Sequence, residues 1–365
     1  MLGRVHMKKM AITQLFILCI TVNSWGAITI HEHDGRMTID SLYGRDEIYE
    51  PVLITLIKSP MMERIKKIRQ YGIAHYVTPL PEFTRFEHCV RVMLLTRRFG
   101  GSLGEQIAAL LHDVSHTVFS HVADYVFKTG DGKTSYQDDM HEWFVEKTGI
   151  NALLAQYGFA GICSDEHKHA FKILEQELPD LCTDRIDYIC YGGFIENRLT
   201  QDEADTIIRD LRYENGRWFF VSEQAALLYA STALYLTEHT FGSRQNFFTY
   251  RLAAKALKRA LEINLITTDE IFFSVDDDVW QKLCTSNDRI ILEAVDAVVH
   301  CDAHSAAGSP ESHDIFVIGK FRGVNPWVKT ADGFARLTDI NDAYAREHMR
   351  VKQYIAAGCY IKYVA

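Results

Sequence analysis

Residues 108–124, Ala-Ala-Leu-Leu-His-Asp-Val-Ser-His-Thr-Val-Phe-Ser-His-Val-Ala-Asp, constrain this chain more than any other stretch. Ile107, Leu110, Leu111 and Val114 recur at i, i+3, i+4 and i+7, marking one apolar helical face with His112 and Asp113 along its edge. An apolar helix has no packing use for a carboxylate and two imidazoles, whose burial is costly unless a partner compensates it. A divalent cation suits both imidazole nitrogen and carboxylate oxygen. The stretch therefore points to a metal site, against the plainer alternative of a partly exposed His-Asp pair at a helix end.

The chain has 365 residues, enough for one large domain or two smaller ones. Its net charge of −9 argues against a wide nucleic-acid or anionic-membrane footprint and leaves room for a local basic pocket. A polyanionic ligand would then need a metal or a few placed Arg and Lys. Lys8 and Lys9 precede an apolar run over 11–22, and Ser24 and Gly26 put small residues at −3 and −1 of a cut after Gly26. That run is too short for a stable membrane span. The expectation is a signal peptide over 1–26 and an exported, periplasmic or secreted protein, with a cytoplasmic one as the alternative. Cysteine usage points the other way: outside Cys19 there are seven, with no CxxC, and Cys89, Cys182 and Cys190 sit in helical patterns as small apolar residues do.

Taken in order, residues 27–39 read as a strand or hairpin turning at Asp34-Gly35, and 60–70 as a helix with Pro60 at N1 and a stop near Gly72. Thr84-x-x-Glu87 and Ser102-x-x-Glu105 are capping boxes opening the helices that bear His88 and His112-Asp113. A helix ends near Phe127, a polar loop covers 129–135, and Asp138 or Asp139 opens a helix with His141 in its first turn. Pro179 suits N1 of a helix through Asp184 to Gly192-Gly193, with Asp187 and Tyr188 sharing the face of Asp184. Beyond residue 200 the pattern gives a hairpin over 211–221, helices over 224–237 and 247–263, and Asp276-Asp277-Asp278 capping a helix over 279–283 rather than binding metal. The expected fold is mainly α with short β-hairpins: a helical core over 27–200 and a helical and mixed region over 201–365 packed on it.

His88, His112-Asp113 and Asp184 give the order H…HD…D. Together with Thr84-Arg-Phe-Glu-His88, Leu110-Leu-His-Asp-Val-Ser-His-Thr-Val-Phe-Ser-His121, His141-Glu142 and Thr183-Asp-Arg-Ile-Asp-Tyr188, it resembles the HD superfamily of metal-dependent phosphohydrolases, and within it the deoxynucleoside triphosphate triphosphohydrolase branch. The resemblance covers about 28–283; beyond it only Phe321-Arg322 matches. It implies an HD-domain helical core and one divalent ion, Mn, Fe, Zn or Mg, held by His88, His112, Asp113 and Asp184 with positions open for water and a phosphate oxygen. It further implies catalytic roles for His116 paired with Asp124 and assisted by His141, and substrate contacts from His121, from Arg85 and Arg185 to phosphates, from Tyr188 to the sugar and from Gln70 to a 3′-hydroxyl. The family's Arg-Asp pair after this segment reads Tyr191-Gly192 here, so an acceptor for the 3′-hydroxyl is missing. The implied activity is hydrolysis of (deoxy)nucleoside triphosphates to nucleoside and triphosphate. The alternatives are hydrolysis of nucleoside monophosphates or another phosphoester, and a non-catalytic nucleotide-binding module. The family often forms oligomers, so a homo-oligomer is also implied.

Overall fold

The computed structural model describes residues 27–128, 135–164 and 170–364. The expected signal segment over 1–26, and residues 129–134 of the expected polar loop, lie outside them. The fold is mainly α, with three small sheets. Among the described residues no helix is long and apolar enough to cross a membrane.

The chain opens with an antiparallel sheet of β1 (Thr29–His33), β2 (Arg36–Ser41) and β3 (Gly44–Ile48), in that spatial order. Asp34 and Gly35 turn the first hairpin, both at positive φ (50° and 75°), as a two-residue turn matched to strand twist requires. Met37, Ile39 and Ile48 face the core from this sheet. Next come short helices Pro51–Ile57 and Pro60–Ile65, and then the central pair Arg85–Arg98 and Leu103–Leu111. Both members of that pair start in complete capping boxes, on Thr84 with Glu87 and on Ser102 with Glu105. Each box satisfies backbone N–H groups that a helix start leaves unpaired, so these boundaries are set locally. The Thr183–Ile195 helix packs on Arg85–Arg98 and is backed by Glu223–Leu236.

The C-terminal part is woven into the same body. β4 (Leu211–Glu214) and β5 (Arg217–Phe220) form the expected hairpin, and β5 pairs in parallel with the strand Trp327–Thr330, which in turn pairs antiparallel with Gly333–Arg336. The last strand, Cys359–Tyr363, lies between Ser305–Ala307 and Ile315–Val317. One cluster of buried apolar side chains runs from Met37 to Ile361.

Three of the expected boundaries move, the first two because backbone groups find distant partners. The helix from Pro60 stops at Ile65 rather than near residue 70, since the N–H of Arg69 is taken by the Asp276 carboxylate at 2.9 Å and that of Gln70 by Phe83 O at 2.7 Å. The helix expected from Pro179 begins at Thr183, whose N–H bonds Ile173 O at 2.9 Å. The His112-Asp113 helix ends at Leu111, leaving His112 as its C-cap and Asp113 just beyond.

Candidate metal centre and its cavity

Three segments converge on one spot. His88 sits in the second turn of Arg85–Arg98, His112 and Asp113 at the end of Leu103–Leu111, and Asp184 in the first turn of Thr183–Ile195. The His88 and His112 Nε2 atoms are 3.2 Å apart, and Asp184 Oδ1 is 2.9 Å from the first and 3.6 Å from the second. Asp113 Oδ2 stands 3.7 Å from both nitrogens. These are the four residues expected as ligands.

The far side of each ring decides what the near side can do. His112 Nδ1 is 2.8 Å from Ala109 O, which can only accept, so Nδ1 carries the proton. His88 Nδ1 donates likewise to Asp187 Oδ2 at 2.7 Å. With neutral rings, two bare nitrogens and a carboxylate oxygen then aim their lone pairs at one point. That arrangement is repulsive unless a cation or an extra proton sits between them, and the mixed N and O donor set suits a divalent metal. Without a metal the site holds protons instead: burial opposes charging His88 and His112, yet bonds to Asp184 and Asp187 raise His88, and Asp113 with neighbouring groups raises His112. Against burial, which would raise them, Arg85 and the nearby imidazoles hold Asp113 well below the carboxylate range, and His112 and His88 do the same for Asp184.

Asp187 was legible in the sequence only as a neighbour on the face of Asp184. In the structure it is fully buried and also accepts from Tyr43 Oη at 2.7 Å and Arg91 Nε at 2.9 Å. Arg91, a fully buried cation on an apolar helix three residues after His88, was the signal that could have found it.

The second cluster forms beside the first with different pairings. His116 Nε2 lies 3.2 Å from Asp113 Oδ1, and burial together with the Arg85 charge lowers the His116 imidazole to about 3. Asp124, expected as the partner of His116, is instead held by His121 Nδ1 at 3.3 Å and by the N–H of Tyr136 at 2.7 Å. The reason is local: in each pair, His116 with Asp113 and His121 with Asp124, the residues are three apart along the chain. His141 Nδ1 meets Ser115 Oγ at 2.9 Å.

Of the other expected contacts, Arg85 is tied to Asp113 at 2.5 Å, Ser120 at 3.1 Å and Gln70 O at 3.3 Å. Arg185 donates to Asp180 O and Gln176 O and keeps its Nε without a partner among the described residues. Gln70 Oε1 is buried and likewise unsatisfied, and Tyr188 packs edge-on against Phe241. Arg85, His112, Asp113, His116, His121, Asp124, His141, Asp184, Arg185, Tyr188 and Gln70 all line one cavity of about 890 Å³. His88 is sealed behind it. Lys320 and Arg322, from a segment the sequence pattern left nearly unmatched, line it too.

A family model described as HD domain matches residues 85–190, the span from Arg85 through the Asp184 helix. The uncharacterized protein YdhJ of Bacillus subtilis is 30% identical over 328 residues, covering 88% of this chain and 98% of that protein. The chain belongs to the HD-domain family of metal-dependent phosphohydrolases. The metal-dependent phosphohydrolase cns2 of Cordyceps militaris is 29% identical over 71% of this chain and 77% of that protein. The human deoxynucleoside triphosphate triphosphohydrolase SAMHD1 is 30% identical over a shorter stretch, 36% of this chain and 24% of that protein. In this HD-domain chain the defining His-Asp pair is therefore His112-Asp113, at a helix end whose lone pairs converge with those of His88 and Asp184.

Proposed function

We propose that the chain hydrolyses (deoxy)nucleoside triphosphates to nucleoside and triphosphate. The observation that carries this reading is the charge of the cavity beyond the metal ligands. Arg85 and Arg185 line it with side chains already tied by hydrogen bonds, whereas no hydrogen bond or ion pair joins the side chain of Lys320 or Arg322 to another described residue. Desolvation, then the charges of Arg322 and Arg185, lower the Lys320 ammonium, and the charges of Glu175 and Asp138 only partly offset them, so these cations gather on one stretch of the wall. A single phosphate on the metal would leave that charge unmet; a polyphosphate answers it. The similarity to human SAMHD1 supports the same substrate class.

A divalent ion held by His88, His112, Asp113 and Asp184 would supply Lewis-acid polarisation of a phosphoryl oxygen. The chain's own residues do the rest. Arg185, Lys320 and Arg322 orient the phosphate chain by charge. His121, steered by Asp124, is the proton carrier for the 5′ oxygen that leaves as the bond to the α-phosphorus breaks and water oxygen takes its place. His116 sits neutral beside Asp113, and His141 is positioned through Ser115. A phosphomonoester substrate is the second reading, favoured by Gly192, which offers a sugar no acceptor.

Chromatography of products after incubating the Mn-loaded chain with the four dNTPs and four NTPs tests this. Nucleoside plus triphosphate is expected. If all eight stay intact while a monophosphate is hydrolysed, the metal centre stands and the substrate reading falls.

A further inference from the structure

The Thr183–Ile195 helix carries a row at i, i+4, i+8 and i+12: Asp184, Tyr188, Gly192 and Glu196, the last being the C-cap, whose N–H bonds Gly192 O at 3.0 Å. Such a row winds slowly round the helix and, at 1.5 Å rise per residue, separates its end residues by roughly 18 Å. Asp184, Tyr188 and Glu196 all line the cavity. The metal ligand therefore stands at one end of this row and Glu196 at the other, three turns away.

The middle of the row is bare for a steric reason. A Cβ on Gly192 would meet the Tyr71 hydroxyl at 2.9 Å and Leu236 Cδ1 at 3.3 Å. That hydroxyl donates to Glu196 Oε1 at 3.0 Å, and Thr240 Oγ1 donates to Oε2 at 2.8 Å. Thr240 stands on the π-helical turn Thr237–Phe241, a wide turn of the kind that recurs at functional sites. The same turn sets Phe241 5.9 Å from Tyr188 and 6.3 Å from Tyr71, so aromatic rings lie between the two ends. Glu196 has no part in phosphate binding, because its charge repels a phosphate. A carboxylate has about four acceptor sites, two per oxygen, and the two protein bonds leave each oxygen with one to spare.

We propose that Glu196 reads the base of the substrate, its two oxygens accepting the paired ring N–H and exocyclic amine of a guanine-type edge. This rests on the nucleotide reading above. With the reacting phosphate at the Asp184 end, the sugar is the next part of the molecule and the base edge the farthest, which is where Glu196 stands. Adenine sets a lone pair beside its amine and would turn it toward one carboxylate oxygen. Hypoxanthine keeps the ring N–H and lacks the amine.

The test is calorimetric titration of the full chain with dGTP, dITP, dATP and GTP in EDTA, so that binding is read without turnover. Binding of dGTP over dATP by about tenfold or more is expected for a paired base contact, with dITP between and GTP equal to dGTP. Glu196→Gln, which replaces one acceptor by a donor, brings the dGTP to dATP ratio within about twofold. Equal binding of dGTP and dATP by the unaltered chain overturns the proposal and needs no variant. So does a ratio that survives Glu196→Gln, or bases bound alike while Glu196 separates GTP from dGTP, which would make it a sugar contact. Selective binding without triphosphate release would sink the reaction and leave the base contact standing; release without base preference would do the reverse.

Discussion

His88 is gripped on both ring nitrogens, and that grip suits it to hold a metal better than an ordinary buried histidine would. Asp187 fixes the Nδ1 proton and so presents a bare Nε2 to the centre, while Arg91 and Tyr43 hold Asp187 in turn. Asp187→Asn removes the charge that neutralises Arg91 and can donate toward Nδ1, which turns the ring. Metal affinity should fall roughly 10- to 100-fold, as for other partners behind a ligand, measured by calorimetric titration with Mn. The centre should also bind metal in a pH-dependent way with a definite sign. His88 and His112 are raised above the ordinary imidazole value of 6.5, so in metal-free protein they hold protons to higher pH than free imidazoles do. A metal must displace those protons, so affinity should fall as pH drops from 8 to 6, by up to about 100-fold per pH unit if both are displaced. An affinity flat over that range would mean that the two rings are not the ligands.

Between elements, one carboxylate does the joining. Asp276 was expected, with Asp277 and Asp278, to cap a helix over 279–283; it lies instead inside the helix Asp276–Cys284, whose N-cap is Val275. The Asp276 side chain accepts from the N–H of Arg69 at 2.9 Å and of Phe119 at 2.7 Å. It thereby ties the end of the Pro60 segment to the loop between His116 and His121. That loop runs close enough that a Cβ on Gly72, at φ +52°, would meet Phe119 O at 2.4 Å, so only glycine fits. An Asn at 276 has one acceptor oxygen for two donors. Asp276→Asn should therefore cost about 1–3 kcal/mol, read as a lower urea midpoint with unchanged slope. Burial raises Asp276 to about 6, despite the two backbone bonds. Between its ordinary value of 3.8 and about 6 the folded state keeps a proton that the unfolded chain has lost, so this group favours folding less as pH rises through that window. The variant should lose that part of the pH dependence.

At the scale of the whole molecule, the active cavity is closed by residues far along the chain. Lys320 and Arg322 follow the strand Ile315–Val317 and line the cavity, with the Arg322 guanidinium over Phe241 at 5.6 Å. The parallel pairing of Phe219 with Trp327 anchors the chain just beyond them to the hairpin that follows the core helices. The pair Lys320→Ala with Arg322→Ala should raise the KM for a triphosphate by about tenfold or more and flatten its dependence on salt, since the lost contacts are ionic. Kinetics at several NaCl concentrations would read this. A KM unmoved by the double change would remove the charge argument for a polyphosphate.

The sequence by itself determined the centre: which residues carry ligand chemistry, and that three helices present them. The capping boxes at Thr84 and Ser102, the apolar face through Val114 and the short spacing of His112 with Asp113 all act over a few residues, so neighbouring side chains suffice to set them. Tertiary structure decided the rest. Where the helix from Pro60 stops, what neutralises Arg91 and which cations reach the cavity each depend on a backbone path or a distant partner. Asp276 lies 207 residues from the N–H it satisfies in Arg69, and Asp187 lies 96 from Arg91. Periodicity and caps carry no information over such separations, because only the packed core brings those groups within hydrogen-bond reach.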